Sequence, residues 1–349
     1  MSQEQQQVVL HITESFGAGT ATAIMQFAAA TPEASHHLLR RERDDSSASV
    51  RPGLFDSVRQ LPGGPAAIRA IRRAVREIRP DVVHCHSSIG GALTRVALRS
   101  TRSRPILYSP HCYAFQRRDI GLPMRIAYAT VEHLLSWNTA ATAACSAHEA
   151  ALASRLNPWR AVQYLPNAAL PDPTSDERPA TAPVVLTTGR IGPQKDPEFF
   201  LRVVEETRRI DDRIQFAWLG SGDADLEDRL RSAGVHVRGW TPRPWDAVAD
   251  GSVYLHAASW EGFPFAVLEA HAHDLPIVAR RIPSFAAAPG AWVSSSPRAL
   301  AGSVADLLRS ETVRRANRED WRSSLRQNDR AHQRAALLAL YGSAEGQAA

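Results

Sequence analysis

Two cations on one short segment and two carboxylates on another are the residues whose types and spacing could do chemistry. GRIGPQKDP (189–197) carries Arg190 and Lys195; SWEGFPFAVLEAHAHDLPIVA (259–279) carries Glu261 and Glu269. A guanidinium offers a planar fork and an ammonium a compact charge with rotatable donors, so the pair suits a diphosphate. Lys195 is the one lysine among 41 basic residues. Either its site is shaped for an ammonium, or its position is chance. Carboxylates accept hydrogen bonds from a polyol's hydroxyls. Pro264 suits the first turn of a helix running from about Phe265 to His273, and amides around Pro264, Phe265 and Ala266 could then hold phosphate. Glu261 would precede that helix. Glu269 would lie about one turn in, where a plain helix acid could equally sit.

Other candidates carry less. SFGAGTAT (15–22) places Gly17 and Gly19 after an apolar run and before a helical stretch, which lets backbone N–H groups approach phosphate or simply makes a tight turn. A dinucleotide fingerprint would want glycine at Thr22, although Glu42 lies where a ribose acid would be expected. Asp223 and Asp225 have the DxD spacing of metal-dependent sugar transfer, but after IQFAWLGSG they read as the cap and first turn of a helix. His84 and His86 alternate along DVVHCH and read as core or rim histidines rather than metal ligands. His111 and Cys112 are adjacent in what reads as a strand, so their side chains should point to opposite faces, which argues against a Cys-His nucleophile pair.

The elements that must position these residues alternate between strand and helix. VVLHIT, DVVHCH, PILYSPH and TAATAACS read as strands in the first half; APVVLTTG, IQFAWLG, VYLHAAS and LPIVA repeat the pattern in the second. Such alternation implies parallel sheets covered by helices. LPDPTSDERPATAP, rich in Pro and charge, reads as the connection, with the boundary at 170–182. The 349 residues, 44% of them apolar, are ample for two cores. Three widely spaced cysteines in apolar surroundings imply reduced thiols. With no signal-like or membrane-spanning run, the expected location is cytoplasmic. The net charge of +5 is concentrated in the first half. In PAAIRAIRRAVREIRP, Ile68, Ile71, Val75 and Ile78 form one stripe and arginines fill the other faces, either a solvated surface or one that meets anionic lipid. No nucleic-acid-binding module accompanies the charge.

Taken together, these motifs resemble a retaining glycosyltransferase of the GT-B fold, family 4, the group containing many bacterial polysaccharide-assembly enzymes; the similarity covers about residues 8–305. The resemblance implies that Arg190 and Lys195 grip the donor diphosphate. It places Glu261, with Gly262 and Phe263, towards the transferred sugar, and Glu269 on the nucleotide ribose. ITESFGAGTATAI resembles the glycine-rich opening loop, SPHCYAF the segment whose histidine, here His111, faces the reacting carbon, and YLPNAA the strand closing the first domain at Asn167. Arg238, Gly239, Trp240 and Thr241 are candidates for the base pocket. Ala18, His273, Asp274 and RRIPSFAAAPG depart from the family pattern around the sugar, leaving the diphosphate grip intact.

The expected architecture is α/β: two Rossmann-like parallel-sheet domains, 1–172 and 173–325, facing a cleft, with a helix in 326–349 returning to the first domain. The expected partners are a nucleotide-sugar donor, a glycan or lipid-linked acceptor and the inner face of an anionic membrane, with no metal and no cofactor. A non-catalytic nucleotide-sugar-binding scaffold and a nucleotide-sugar epimerase are the alternatives; a nicotinamide dehydrogenase is a more distant competitor.

Overall fold

The computed structural model describes residues 6–42, 49–168, 182–241, 245 and 248–342. The chain forms two compact units, residues 1–168 with 330–349, and residues 169–329. Most of the sequence-predicted connection, 170–182, lies outside the described residues.

The first unit holds strands β1 (Val8–Phe16), β2 (Ser35–Glu42), β3 (Ser57–Gln60), β4 (Val82–His86), β5 (Ile106–Ser109), β6 (Ala141–Ala144) and β7 (Ala161–Tyr164). All pair in parallel in the order β3-β2-β1-β4-β5-β6-β7. Helices α1 (Ala18–Ala30), α2 (Ala66–Ile78), α3 (Ser88–Ala97), α4 (Leu122–Ser136) and α5 (Ala147–Leu156) connect them. β2 escapes a hydrophobicity reading because SHHLLRRE is mostly polar, yet Leu38 and Leu39 are buried on its opposite faces. The α2 stripe is realised: Ile71 and Val75 are buried, Ile68 and Ile78 pack against the same core, and Arg69, Arg72, Arg73 and Arg76 are exposed.

The second unit repeats the plan with β8 (Val185–Thr188), β9 (Phe216–Leu219), β10 (Val235–Val237), β11 (Val253–His256), β12 (Ile277–Arg280) and β13 (Val293–Ser294), parallel in the order β10-β9-β8-β11-β12-β13. Its helices are α6 (Pro197–Arg208), α7 (Ala224–Ser232), α8 (Phe265–Ala272), α9 (Pro297–Arg309) and α10 (Glu311–Ser324). Phe200, Phe216 and Trp218 lie in its core under α6 and α9, and burying each such ring is worth about 1.5–3 kcal/mol. In each sheet the strand order reverses once, between β1 and β4 and between β8 and β11, and the carboxyl edge at such a switch point is where open α/β sheets bind ligands.

The returning helix expected within 326–349 is α11, Arg330–Gly342, and it is separate from α10, which ends at Ser324. Trp321 is buried in the second unit with its Nε1 donating to the Ile277 carbonyl at 2.9 Å, and Leu325 and Asn328 turn the chain. α11 belongs to the first unit, where Gln333 donates to the Pro166 carbonyl at 2.9 Å and Tyr341 is buried.

Candidate active site

The loops after β8 and β11 leave neighbouring strands, and the structure brings their chemistry together. Gly189 follows β8 at φ +120, a conformation that favours glycine, and a Cβ there would lie 2.7 Å from Lys195 Cε. Lys195 thus lies across the Gly189 backbone. Its Nζ donates to Glu261 Oε1 at 2.7 Å, with both side chains mostly buried. Gln194 completes the strap: its Nε2 lies 3.2 Å from Glu261 Oε2 and from the Trp260 carbonyl, and its own carbonyl accepts from the Ser259 amide at 2.8 Å.

Beside this pair, Asp196 at φ 49 caps α6, accepting from the Phe199 amide at 3.0 Å and from Arg280 Nη1 at 2.5 Å. Arg280 also lies over the Phe199 ring, 4.2 Å from its centroid. Arg280 and Gln194 are site neighbours that the sequence motifs did not single out. Arg190 is exposed on the same loop. The loop is held from the other side by Gly220 and Gly222, where a Cβ would come within 2.2 Å of the Gly189 carbonyl oxygen and 2.1 Å of the Ile191 carbonyl oxygen.

The β11 loop continues through Gly262 and Phe263, whose ring meets Phe285 edge-on at 6.1 Å. Pro264 occupies the N-cap of α8 with extended backbone, rather than the first turn expected of it, so Phe265 and Ala266 supply the first helical amides. Glu269 falls in the second turn and accepts from Trp245 Nε1 at 3.1 Å; Trp245 in turn stacks on His273, 5.9 Å between centroids. Asp274 takes φ 55 and is held by Arg318 Nε at 3.4 Å. That left-handed backbone is one that aspartate, with its short polar side chain, visits more readily than most residues. Arg238, Gly239, Trp240 and Thr241 follow β10 at the carboxyl edge; Gly239 has φ +73 and the Trp240 ring is 59% exposed, able to stack on a base. Asp223 caps α7, accepting from the Leu226 amide at 3.1 Å, with Asp225 in the first turn.

In the first unit, Gly17 is the N-cap of α1 in extended backbone and Ala18 takes φ 44. Gly19 lies within the first helical turn instead of in a loop. His111 is not on a strand: β5 stops at Ser109, before Pro110, and His111 and Cys112 take φ 52 and φ 92. Their side chains therefore do not alternate across a sheet as two adjacent strand residues would. Non-glycine residues in such conformations persist when their surroundings hold them, and buried Glu149 does so. Its Oε1 accepts from the Cys112 amide at 2.7 Å and its Oε2 from the Cys145 amide at 2.9 Å. Burial raises the Glu149 carboxyl and these amide bonds oppose the shift.

Strand register explains the company His111 keeps. His11 on β1 is in register with His84 on β4, and His86 lies two residues further along the same face. His36 joins them from β2, where it is paired with Val9, two residues before His11. Burial holds these histidines below the ordinary value, His84 at about 3, and His111 is lowered to about 4 by the same cause. The nitrogens of His11, His84 and His86 are close enough to hold a metal ion, within 4.8 Å of one another. Their ring nitrogens are instead engaged by protein groups: His84 by Ser109 Oγ at 2.8 Å and Tyr341 OH at 3.1 Å, and His11 and His86 by neighbouring histidines. Only the His84/His86 alternation signalled this cluster in the sequence; His11 and His36 are joined to it by the strand order.

Residues 8–168 match a family model described as a glycosyl transferase 4-like domain, and residues 182–310 one described as glycosyl transferases group 1. An uncharacterized 41.2 kDa protein in the cps region of Klebsiella pneumoniae is 22% identical over 297 residues, 79% of this chain and 81% of that protein. The Escherichia coli UDP-Gal:alpha-D-GlcNAc-diphosphoundecaprenol alpha-1,3-galactosyltransferase is 22% identical over 61% of each chain. The solved sucrose-phosphate synthase of Thermosynechococcus elongatus superposes with a TM-score of 0.77 at 15% identity, over 98% of this chain and 100% of its own. Two parallel-sheet α/β units, each matched by its own family model, identify this chain as a member of the GT-B glycosyltransferases.

Proposed function

We propose that the protein transfers a sugar from a nucleotide-diphosphate sugar to a glycan or lipid-linked acceptor in cell-surface polysaccharide assembly, retaining the anomeric configuration and using no metal. The observation that carries this reading is the Lys195–Glu261 pair at the switch point of the second sheet. An arriving diphosphate competes with Glu261 for the ammonium. Lys195, Arg190 and the first amides of α8 then stabilise the charge that grows on the departing diphosphate, the electrostatic part a metal would otherwise supply. Glu261, released from Lys195, accepts hydrogen bonds from the sugar's hydroxyls, and Glu269 from the ribose. The acceptor attacks the face the diphosphate leaves, the departing phosphate oxygen takes the acceptor's proton, and His111 positions the sugar. The relatives' printed names, a cps-region protein and a transferase using a diphosphoundecaprenol acceptor, support the acceptor class.

α4 supports a membrane-facing acceptor. Leu122, Met124, Ile126, Leu134 and Trp137 are each more than half exposed, and Glu132, the helix's buried residue, anchors it by ion pairing with Arg95 at 2.8 Å. Exposed apolar side chains gathered along one helix suit an interaction surface. α3 lies between α4 and the arginines of α2, so apolar and cationic groups share one helical layer. Among the described residues no helix is long and apolar enough to cross a membrane, and the reading is peripheral contact with the cytoplasmic leaflet.

The test is to supply candidate nucleotide sugars with and without acceptor. Release of nucleotide diphosphate only when acceptor is present supports transfer. Binding of nucleotide sugar with no turnover under any pairing would leave a scaffold, and interconversion of the donor sugar without acceptor an epimerase.

A further inference from the structure

The histidines beneath His111 form a directed chain. Thr31 Oγ1 donates its proton to the Phe27 carbonyl at 3.0 Å, so both its hydroxyl oxygen and its carbonyl can only accept from His36 Nε2, at 3.1 Å and 2.9 Å. His36 Nε2 must therefore carry the proton. A neutral imidazole has one donor and one acceptor, which leaves His36 Nδ1 bare. His11 Nε2, 3.1 Å away, must then donate to it, leaving His11 Nδ1 bare. By the same step His86 Nε2 donates to His11 Nδ1 at 3.1 Å, and His111 Nε2 donates to His86 Nδ1 at 3.1 Å. One backbone carbonyl sets the direction of every bond in the chain.

We infer that Thr31, His36, His11 and His86 are positioning residues that hold His111 as its Nε2–H tautomer and so present the bare Nδ1 of His111 as a hydrogen-bond acceptor. Among the described residues His111 Nδ1 has no hydrogen-bond partner. On the glycosyl-transfer reading it accepts from a hydroxyl of the donor sugar or the acceptor; the tautomer itself does not depend on that reading. Two features keep the chain neutral. Its inner rings are buried, and the Phe27 ring covers one side, 6.1 Å from His86 and 6.2 Å from His111. Protonating an inner imidazole would also set one N–H against another.

Ring-nitrogen NMR of the full chain labelled with 15N-histidine, near pH 7.5 and without donor or acceptor, tests the inference. In the wild type, His111 should show a protonated Nε2 and a bare Nδ1. H86F severs the chain and should abolish that pattern, giving a mixture or the Nδ1–H form. H36L should do the same, whereas H36Q, whose amide can donate to Thr31 and accept from His11, should restore it. A His111 bearing its proton on Nδ1 in the wild type overturns the inference even if no variant folds. So does an unchanged His111 in folded H86F. If the tautomer stands but no sugar transfer is found, only the functional reading falls.

Discussion

Lys195 and Glu261, 66 positions apart in sequence, meet at 2.7 Å with 19% and 12% of their side chains exposed. The chain's single lysine therefore sits in a slot bounded by the Gly189 backbone, Glu261 and Gln194. A guanidinium is wider, planar and less able to turn its donors towards successive partners. Lys195→Arg should impair donor use despite preserving charge. Lys195→Ala removes a charge-assisted bond worth about 1.5–3 kcal/mol and should weaken kcat/KM for the donor roughly 10- to 150-fold. Wild-type kinetics in the arginine variant would show that the slot does not select for an ammonium.

Glu261 should prove replaceable in part. A double displacement needs a nucleophilic carboxylate against the anomeric carbon, whereas a hydroxyl acceptor can be mimicked by an amide. Glu261→Gln should retain measurable transfer, and the new linkage, assigned by NMR, should keep the donor's anomeric configuration. Inversion, or a sugar ester trapped on Glu261, would overturn same-face attack.

Chelation should not matter. Asp223, the first acid of the DxD spacing, is spent on capping α7. Asp223→Ala should cost about 1 kcal/mol of stability and leave turnover intact, and EDTA should leave turnover unchanged. Activity lost in EDTA, restored by magnesium or manganese and absent from Asp223→Ala would make that aspartate a metal ligand.

Acid should destabilise the first unit. His84 and His111 titrate at about 3 and about 4 when folded but near 6.5 when unfolded, so between those values the unfolded chain binds more protons. Their contribution is fully present above about pH 6.5 and is lost as pH falls towards the folded values. Each should cost on the order of 2 kcal/mol between pH 7 and pH 5. Thermal unfolding across that range should show a falling midpoint, and a flat profile would mean the histidines are not neutral in the folded state.

Membrane contact should need both chemistries of the helical layer. Binding to anionic vesicles should exceed binding to neutral ones and should fall with salt, since exposed charges are screened over about 8 Å at physiological ionic strength. Part of the arginine charge is already spent, because Arg59 and Arg73 share Glu77. Leu134→Ser together with Trp137→Ser should therefore reduce binding more than loss of Arg73. Equal affinity for neutral and anionic vesicles would count against the arginine face.

By itself the sequence determined the local parts. Alternating apolar runs specified parallel sheets, the α2 stripe specified its buried face, and the motif spacing picked out Lys195, Glu261 and Glu269, because these depend on short-range periodicity and loop chemistry. What depends on strand order was decided by the tertiary structure. β8 and β11 are neighbours only after β9 and β10 have gone to the other side, which is what sets Glu261 against Lys195 and brings Arg280, from the end of β12, onto Asp196. Likewise His11 and His36 are unremarkable in their own segments, and His86 shows only an alternation with His84; parallel register stacks the three on one face, and a left-handed turn after Pro110 delivers His111 to the end of their chain. Periodicity says which way a side chain points from its own strand, but its neighbours are chosen by pairing between segments far apart in sequence.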